Sequence, residues 1–556
     1  MLQQMKLNCC LLALLWVFTS CNKQSTADII YTNAYIWDGD SAWTIPAAIA
    51  VKDSAIIFVG KEYEQYRDNN TEVIDLGGKL IVPGFIDNHT HFLSGGYQLA
   101  NINLRLAHTP SAFRSRLKEF AAGLPEGRWI QGGDWDHEIW GGQLPAKEWI
   151  DSITGTHPVF VNRYDGHMAL ANSVTLKLAG ITKETIDPPG GEIVRHPQTG
   201  EPTGVLKDEA MSLVYSVIPD HSPEVLEESL LRAIGEAHAN GVAQVHDMGS
   251  HGGWTDLETY RSLHASGKLN LRIHAFVPLS NWEKLDSFVK KNGRGDDLLQ
   301  WGGVKGFVDG SLGSTTAWFY KPYLDAPATS GFPVTDTVLL RNWIVSADSA
   351  GLRLAVHAIG DRANDWLLNT YEQIAKTGPG DKRFRIEHAQ HLSKDAISRF
   401  NTLKVIPSMQ PYHAIDDGRW AHKRLDDERL KGTYAFKSLL QSGARLTFGS
   451  DWSVAPLTPL EGIYAAVTRR TTDNKNPNGW VPEQKITAEE ALRCYTTNNA
   501  YAGFMENKVG ALKAGYLADF IVLSENILTI APEKIIDVKV LRTIVNGVEV
   551  YKKDMK

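Results

Sequence analysis

The clearest indication of the fold is the segment Ile81–His91, with the sequence IVPGFIDNHTH. It is a short apolar run that ends in two histidines, His89 and His91. Such a run predicts a buried β-strand. Because alternate side chains of a strand face the same side, both imidazoles can reach one metal ion. The segment therefore predicts part of a metal site at the carboxyl end of a strand.

Four further candidate ligands follow apolar runs of the same kind. They are Lys305 in GGVKGFVDG, His357 in RLAVHAIGD, His388 in FRIEHAQ and Asp451 in RLTFGSD. Side chains at the carboxyl ends of parallel barrel strands converge at one rim. Imidazole and carboxylate ligands suit zinc and its first-row neighbours. We therefore predict one metal centre built from all six residues.

The apolar runs alternate with helical stretches, which predicts an α/β fold, a (β/α)8 TIM barrel. The runs are LIVPGFID, GVAQVHDM, LRIHAFV, GGVKGFVD, LRLAVHAI, FRIEHA, KVIPSMQ and RLTFGSD. They put the histidine pair after the first strand and Lys305 after the fourth. His357 and His388 follow the fifth and sixth strands, and Asp451 follows the eighth.

Lys305 needs its own argument, because an ammonium group is a poor metal ligand. A buried lysine with a lowered pKa can react with carbon dioxide and become an anionic carbamate. We therefore predict two divalent ions, most simply Zn²⁺, bridged by carboxylated Lys305. Two metals roughly 3.5–4 Å apart can activate a shared water and polarise a carbonyl. Asp451 would take the proton of that water and return it to the leaving nitrogen. A solvated lysine is the alternative interpretation.

Several motifs in sequence order give the chain its resemblance to the amidohydrolase superfamily, in the branch that includes N-substituted formamide deformylase. Besides the ligand motifs they are GDWD at 133–136, RYDGH at 163–167, GGEI at 190–193, PTGVL at 202–206, DGS at 309–311, HAIGD at 357–361 and GSDW at 449–452. The resemblance implies a metal-dependent hydrolase of amide-like C–N bonds. It also implies that the six residues occupy the family's ligand positions, and it leaves the substrate open.

The same resemblance implies the domain arrangement. Segments 28–79 and 506–556 are rich in predicted strands and would pair into a small β-sandwich beside the barrel of residues 80–505. The dipeptide Asn546-Gly547 predicts a hairpin in the second segment. The stretch between the first two barrel strands is far longer than an ordinary connection. We therefore predict an inserted subdomain at about residues 100–238.

Three residues of the insert are candidates for substrate contact or catalysis. Trp135 lies among glycine and aspartate residues, which favours a pocket position; the alternative is that the tryptophans form the insert's own core. His167 follows a predicted strand and would bind the substrate carbonyl or the developing oxyanion, with Asp165 fixing its tautomer. A structural histidine is the alternative.

Two aspartates of the barrel follow metal-ligand motifs. Asp309 and Asp361 are either partners of the metal ligands or helix caps.

Two other functions stay open. A deaminase, or a carbamate or ester hydrolase, would use the same centre; the residues after His357 read Ala-Ile-Gly-Asp, without the His-x-x-Glu of the superfamily's deaminases. A non-catalytic ligand-binding lipoprotein would be expected to lack a ligand or Asp451, and all six positions are filled.

The first 21 residues indicate export to the cell envelope. Lys6 precedes the apolar run Leu11–Phe18, and Cys21 follows Thr19-Ser20 at the expected cleavage point. This resembles a bacterial lipoprotein signal peptide, with Cys21 lipidated, residues 22–27 as a tether, and a location on the periplasmic side or in the outer membrane. An uncleaved anchor or an ordinary secretory signal is the alternative, although a bilayer span takes about 20 apolar residues.

Composition fits a large enzyme with a small-molecule substrate. The chain has 556 residues, of which 43% are hydrophobic, enough for more than one domain. A net charge of -7 and the lack of a basic run argue against nucleic acid as a partner. Of the 4 cysteines only Cys494 lies beyond the leader, so no internal disulfide is expected. Oligomeric state cannot be read from these features.

Overall fold

The computed structural model describes residues 25–43, 45–163, 168–188, 191–219, 221–249, 253–313, 315–376 and 380–553. Three sequence-predicted residues, Cys21, Asp165 and His167, lie outside these ranges, so lipid anchoring and the two insert roles stay predictions. Among the described helices, none has both the length and the apolar character needed to cross a membrane.

Strands from both ends of the chain pair in one eight-stranded sheet. With strands numbered along the chain, its members are β1 (Ile29–Ile36), β2 (Ala47–Lys52), β3 (Ala55–Gly60), β4 (Glu72–Asp75), β5 (Leu80–Pro83), β20 (Phe520–Leu523), β21 (Val540–Val545) and β22 (Val548–Lys552). Strand β5 joins the two ends, because it pairs antiparallel with β20 and parallel with β1. Asn546 and Gly547 form the two-residue turn between β21 and β22 with positive φ angles, as the sequence predicts. The division of this sheet into the two faces of a sandwich stays a prediction.

Eight parallel strands form the second sheet, in the order in which they follow one another along the chain. They are β6 (Phe85–Thr90), β13 (Val242–Asp247), β14 (Arg272–Pro278), β15 (Leu299–Phe307), β16 (Arg353–Ala358), β17 (Arg385–His388), β18 (Ile406–Met409) and β19 (Thr447–Phe448). The backbone N–H of Asp451 donates to the carbonyl of His89 at 2.8 Å, and Thr90 forms a parallel bridge with Trp452. The sheet is therefore a nearly closed parallel barrel, and each of its strands overlaps one of the predicted runs.

Helices connect the barrel strands and cover them. The described α-helices are α1 (Phe92–Ala100), α2 (Pro110–Ala122), α3 (Asp151–Thr154), α4 (Ser173–Leu178), α5 (Ser212–Tyr215), α6 (Pro223–Ala239), α7 (Trp254–Ala265), α8 (Trp282–Asn292), α9 (Thr337–Ser349), α10 (Asp361–Ala375), α11 (Lys394–Thr402), α12 (Pro411–Asp417), α13 (Asp427–Lys431), α14 (Phe436–Gln441), α15 (Pro459–Thr468), α16 (Ala488–Tyr495) and α17 (Thr497–Ala502). In α10, Ala363, Leu367 and Tyr371 are buried at intervals of four residues, so that one face of this helix packs on the core.

The segment of the chain that connects β6 to β13 forms a third sheet. It contains β7 (Ile102–Asn103), β8 (Gly132–Trp135), β9 (Phe160–Arg163), β10 (Met168–Ala171), β11 (Gly191–Arg195) and β12 (Pro202–Asp208), in the order β11-β12-β10-β9-β8-β7. Phe113 and Leu117 of α2 pack on this sheet in a fully buried apolar cluster. The segment between the first two barrel strands thus folds around a core of its own.

The first barrel strand begins at Phe85, later than the boundary predicted at residue 80. Leu80–Pro83 pairs in the terminal sheet, and the chain changes sheets at Gly84. The N–H of Gly84 donates to the carbonyl of Asp519, whereas the N–H of Phe85 donates to that of Gly241. A Cβ added at Gly84 would lie 2.5 Å from the Cβ of Ala243, so the close approach of the two sheets requires glycine here.

A buried ion pair joins the barrel to the terminal sheet. The side chains of Arg272, in β14, and Asp519, beside β20, are only 2% and 4% exposed. The Nε atom of Arg272 lies 2.5 Å from Oδ2 of Asp519, and Nη2 lies 3.0 Å from Oδ1. Nη2 also donates to Oδ1 of Asn546 at 3.0 Å. Both charges are shielded from water, so removing either side chain would leave the other charge buried without its counter-charge.

We expect Asp519→Ala to lower the free energy of unfolding by about 3–5 kcal/mol, because the Arg272 guanidinium would stay buried without its anion. Urea titration of the variant and the natural chain measures the change. The matched control is Lys508→Ala, which breaks an exposed pair with Asp297 and should cost at most about 1 kcal/mol. Equal losses in the two variants would show that the buried pair does not hold the two sheets together.

Candidate metal centre

The predicted ligands meet at the carboxyl ends of the barrel strands. His89 lies in β6 and His91 directly after it, Lys305 lies in β15, His357 in β16, His388 at the end of β17, and Asp451 after β19. The Nε2 atoms of His89 and His91 lie 3.5 Å and 3.4 Å from Oδ1 of Asp451. One carboxylate oxygen therefore faces both histidines of the first strand.

The other three predicted ligands complete the cluster. Nζ of Lys305 lies 3.2 Å from Nε2 of His89. The ring of His388 lies 4.7 Å from that of His89 and 4.5 Å from that of His357, measured between centroids. Nδ1 of His388 is 3.9 Å from Oδ2 of Asp451. The structure thus brings all six predicted residues together.

Each of the four histidines has one ring nitrogen that donates a hydrogen bond to an oxygen. The pairs are His89 Nδ1 with Glu387 Oε2 (2.5 Å), His91 Nδ1 with the Gly249 carbonyl, His388 Nδ1 with Gln410 Oε1 (2.9 Å) and His357 Nε2 with the Gly310 carbonyl (3.0 Å). Because these oxygens only accept, the bonded nitrogen carries the hydrogen and the other nitrogen keeps its lone pair. Every ring is therefore in the tautomer that a metal ligand requires.

Burial sets the charge state of the centre. It lowers the pKa of Lys305 to about 8, so that in a fraction of the molecules this side chain is a neutral amine at neutral pH. Burial also lowers the pKa of His89 to about 4 and that of His357 to about 3. Neutral imidazole is the form that binds metals, and a neutral amine is the form that reacts with carbon dioxide.

The residues present fit a divalent cation. Oδ1 of Asp451 is buried and accepts no hydrogen bond from any described residue, although buried polar atoms are nearly always paired. The ligand atoms of His89, His91 and Asp451 all lie within 4.8 Å of one another, and so do those of His388, His413 and Asp451. The two trios share Asp451, which places this carboxylate between two possible ion positions.

His413 is a candidate ligand that the sequence analysis missed. It lies in α12, shortly after β18, and its Nε2 is 3.9 Å from Oδ2 of Asp451. This nitrogen is buried without a hydrogen-bond partner among the described residues. His413 follows the seventh predicted barrel strand, the run KVIPSMQ, for which no ligand was predicted. Its position after that strand could have identified it from the sequence.

The structure places Trp135 in the core of the insert. Its side chain is fully buried, it packs in the apolar cluster with Phe113 and Leu117, and its Nε1 donates to the carbonyl of Val161 at 2.8 Å. A ring without exposed surface offers no face to a substrate. These contacts support the alternative interpretation, a core tryptophan, over the pocket position that the sequence favoured.

Asp309 and Asp361, which follow the predicted ligands Lys305 and His357 in sequence, accept hydrogen bonds from loops at the barrel rim. Asp309 is buried and accepts hydrogen bonds from the backbone N–H groups of Trp318, Ile359 and Gly360. Its Oδ1 is also 3.5 Å from Nε2 of His357. Asp361 begins α10 and accepts from the N–H of Tyr320. Asp309 therefore braces the backbone around His357, close to the predicted role of a ligand's partner.

A buried network fixes His89 from the barrel interior. Glu387, which accepts from His89, is bound by Arg385 through Nε at 2.7 Å and Nη2 at 3.0 Å. Ser408 donates to the same carboxylate at 2.5 Å, and Arg385 also donates to the carbonyl of Asn88. Burial alone would raise the pKa of Glu387, but Arg385 holds it well below its usual range. The carboxylate is therefore ionised and orients the imidazole.

A parallel barrel with a histidine and aspartate cluster at the carboxyl ends of its strands is an arrangement that suits a metal-dependent hydrolase. Comparison with known proteins agrees. Residues 72–551 match the Amidohydrolase family. The chain belongs to this family, which confirms the resemblance that its motifs indicate.

Similarity to known proteins extends over almost the whole chain. It is 40% identical to Protein LONG AFTER FAR-RED 3 of Arabidopsis thaliana, over 94% of this chain and 92% of that protein. It is 27% identical to the N-substituted formamide deformylase of Arthrobacter pascens, over 95% and 98%. A crystal structure of an uncharacterized metal-dependent hydrolase from Pyrococcus horikoshii is 30% identical and superposes with a TM-score of 0.76, covering 91% of this chain and 99% of that one.

We expect Glu387→Gln to weaken metal binding about 10–100-fold, because the amide orients His89 less firmly than a carboxylate. Metal content after dialysis against graded chelator concentrations measures the affinity. Glu506→Gln is the control, since Glu506 binds Arg383 and contacts no predicted ligand in the described part of the chain. Unchanged metal retention in Glu387→Gln would contradict an orienting role for this carboxylate.

Proposed function

We propose that this metal-dependent hydrolase cleaves the C–N bond of an amide or formamide-like small molecule. The carrying observation is Asp451, whose buried carboxylate lies between the two histidine trios and has one oxygen free of hydrogen bonds from described residues. Similarity to the N-substituted formamide deformylase of Arthrobacter pascens supports the bond type.

The metal ligands we propose are the six predicted residues: His89, His91, Lys305, His357, His388 and Asp451. Two Zn²⁺ ions, with Lys305 as a bridging carbamate, suit this donor set. When bound, the ions would lower the pKa of a water molecule and polarise the carbonyl of the substrate. His413 is an additional donor near Asp451.

Asp451 is the residue we propose as the proton carrier. It would accept a proton from the attacking water and then deliver it to the leaving nitrogen, so that one group serves both halves of the reaction. Its position after β19, with the backbone N–H bonded to His89, keeps the carboxylate beside the histidine pair. The residue predicted to bind the carbonyl oxygen of the substrate is His167. It lies outside the described part of the chain, so this role stays a prediction.

The substrate would bind in a cavity of about 390 Å³ beside the centre. Lys305, His357, His388 and Asp451 are among the residues that line it. This volume lies in the range of small-molecule sites. A small organic amide is therefore a suitable occupant.

We expect Asp451→Asn to reduce turnover about 10²–10⁴-fold while the protein stays folded, because the amide cannot take up the proton of the water. The assay measures release of carboxylate or formate together with the amine, from N-substituted formamides and acyl amides. Circular dichroism checks the fold. The control Asp473→Asn changes a carboxylate bonded to Thr471, on a loop after α15, and should keep its rate.

The same panel separates the competing reactions at this centre. It includes aminated purines and pyrimidines, a carbamate and an aryl ester. Preferred release of ammonia from a heterocycle would replace the amide assignment with deamination, and preferred cleavage of the ester or carbamate would replace it with that reaction. A near-normal rate of Asp451→Asn on its best substrate would remove Asp451 from the proposed role.

A further inference from the structure

Two cavities border the metal centre. One is the cavity of about 390 Å³ described above, and the other has a volume of about 410 Å³. His91, Lys305, Phe307 and Val454 line both of them. A bond held at the metal centre would therefore have space for a substantial group in each of two directions, and each volume is large enough for such a group.

The second cavity, which we call the apolar compartment, is lined by Ser94, Met248, Gly249, Pro278 and Ser453 in addition to the shared residues. Apart from His91 and Lys305 of the centre itself, its described lining carries no ionisable side chain. The side chains of Met248, Pro278 and Phe307 offer apolar surface. Burial of an apolar group is the favourable interaction that such a lining provides.

The first cavity, which we call the polar compartment, has about the same proportion of apolar lining as the second, including Leu312 and Ile359, and differs from it in having two carboxylates beyond the metal centre. Tyr412, Asp416, Asp417 and Trp420 line it together with the residues of the metal centre. Oδ2 of Asp417 accepts from the hydroxyl of Tyr434 at 2.6 Å, while Oδ1 receives no hydrogen bond from any described residue. Asp417 is therefore an acceptor with a free position on the cavity wall.

Asp416 differs from its neighbour because its charge is already balanced. Oδ1 of Asp416 lies 2.5 Å from Nη2 of Arg419. The ring of Trp420 lines the same compartment. A free carboxylate beside an aromatic face recognises an ammonium group or another strong N–H donor.

We propose that the substrate extends into both compartments: an amide with an aromatic or branched apolar group in the apolar compartment and an amino group, or another N–H donor, beside Asp417 in the polar compartment. This inference rests on the proposed amide hydrolysis and narrows its substrate class. A simple N-substituted formamide carries only hydrogen on its acyl side, so it would leave one compartment without a ligand group.

The test compares two-sided and one-sided compounds on the metal-loaded protein. The two-sided compounds are the 3-phenylpropanoyl amide of 1,4-diaminobutane and N-benzyl-5-aminopentanamide, which present the apolar and amino groups in opposite orientations about the amide. The one-sided compounds are N-benzylformamide and the 3-phenylpropanoyl amide of butylamine. We expect kcat/KM for the better two-sided compound to exceed both one-sided values by roughly tenfold or more. An equal or higher value for N-benzylformamide would overturn the proposal.

Two variants assign the compartments. Asp417→Asn keeps an acceptor for Tyr434 but removes the charge, so it should lower kcat/KM about tenfold for the amino compounds and leave the butylamide unchanged. Asp473→Asn, which changes a carboxylate outside the described lining of both compartments, is the control and should change neither by more than about twofold. Ser94→Trp narrows the apolar compartment and should impair phenylpropanoyl amides more than the corresponding acetyl amides. Uniform losses across the panel in these variants would overturn the assignment.

Binding distinguishes failure of this inference from failure of the proposed function. Any compound that is not hydrolysed is titrated into the natural, metal-loaded protein, and the shift in Tm is measured. A preference for two-sided compounds without hydrolysis would support the two compartments while refuting amide hydrolysis. Hydrolysis or binding without that preference would refute the two compartments alone.

Discussion

The pairing of the first and last barrel strands is the constraint on which the metal centre depends. The N–H of Asp451 donates to the carbonyl of His89, and the N–H of His91 donates to that of Trp452. These bonds place the carboxylate beside the two histidines. Asp87 reinforces the contact, because its carboxylate accepts from the N–H groups of His89 and Ser450. Residues from distant parts of the sequence therefore share one backbone register.

Close packing accompanies this closure. A Cβ added at Gly449 would lie 2.6 Å from the backbone nitrogen of His89, so only glycine allows the two segments to approach this closely. Beneath them, the pair of Arg385 and Glu387 orients His89. Such a pair is costly to bury unless both charges are fully bonded, and here Ser408 and Asn88 supply further partners. The site is preorganised by its second layer of residues.

The barrel was predictable because each of its strands is buried and apolar and because its polar ligands fall at strand ends. The boundary at Gly84 was not, since Leu80–Pro83 and the first two residues of Phe85–Thr90 belong to one apolar run that divides between two sheets. Apolar pattern reports burial, and it does not report which sheet a strand joins. Only the hydrogen bonds on either side of Gly84 show the change.

Side-chain direction explains the remaining differences. Trp135 lies in a segment with turn-like composition, where Gly133 and Asp134 have positive φ angles, yet the strand directs its ring into the insert's core. His413 lies on a helix, so the rule that ligands follow strands directly did not identify it. Glu387 precedes His388 in sequence but acts on His89, a contact that depends on the tertiary structure.

Elemental analysis of the purified protein shows whether Lys305 belongs to a two-metal centre, as we propose. The chain without its first 21 residues, otherwise unchanged, is compared with the same chain carrying Lys305→Ala and with Lys508→Ala as an exposed control. We expect about two metal ions per chain in the unsubstituted chain and the control, and fewer, together with loss of activity, in Lys305→Ala. One ion per chain, with the same content in Lys305→Ala, would contradict the bridged centre and make Lys305 a structural residue.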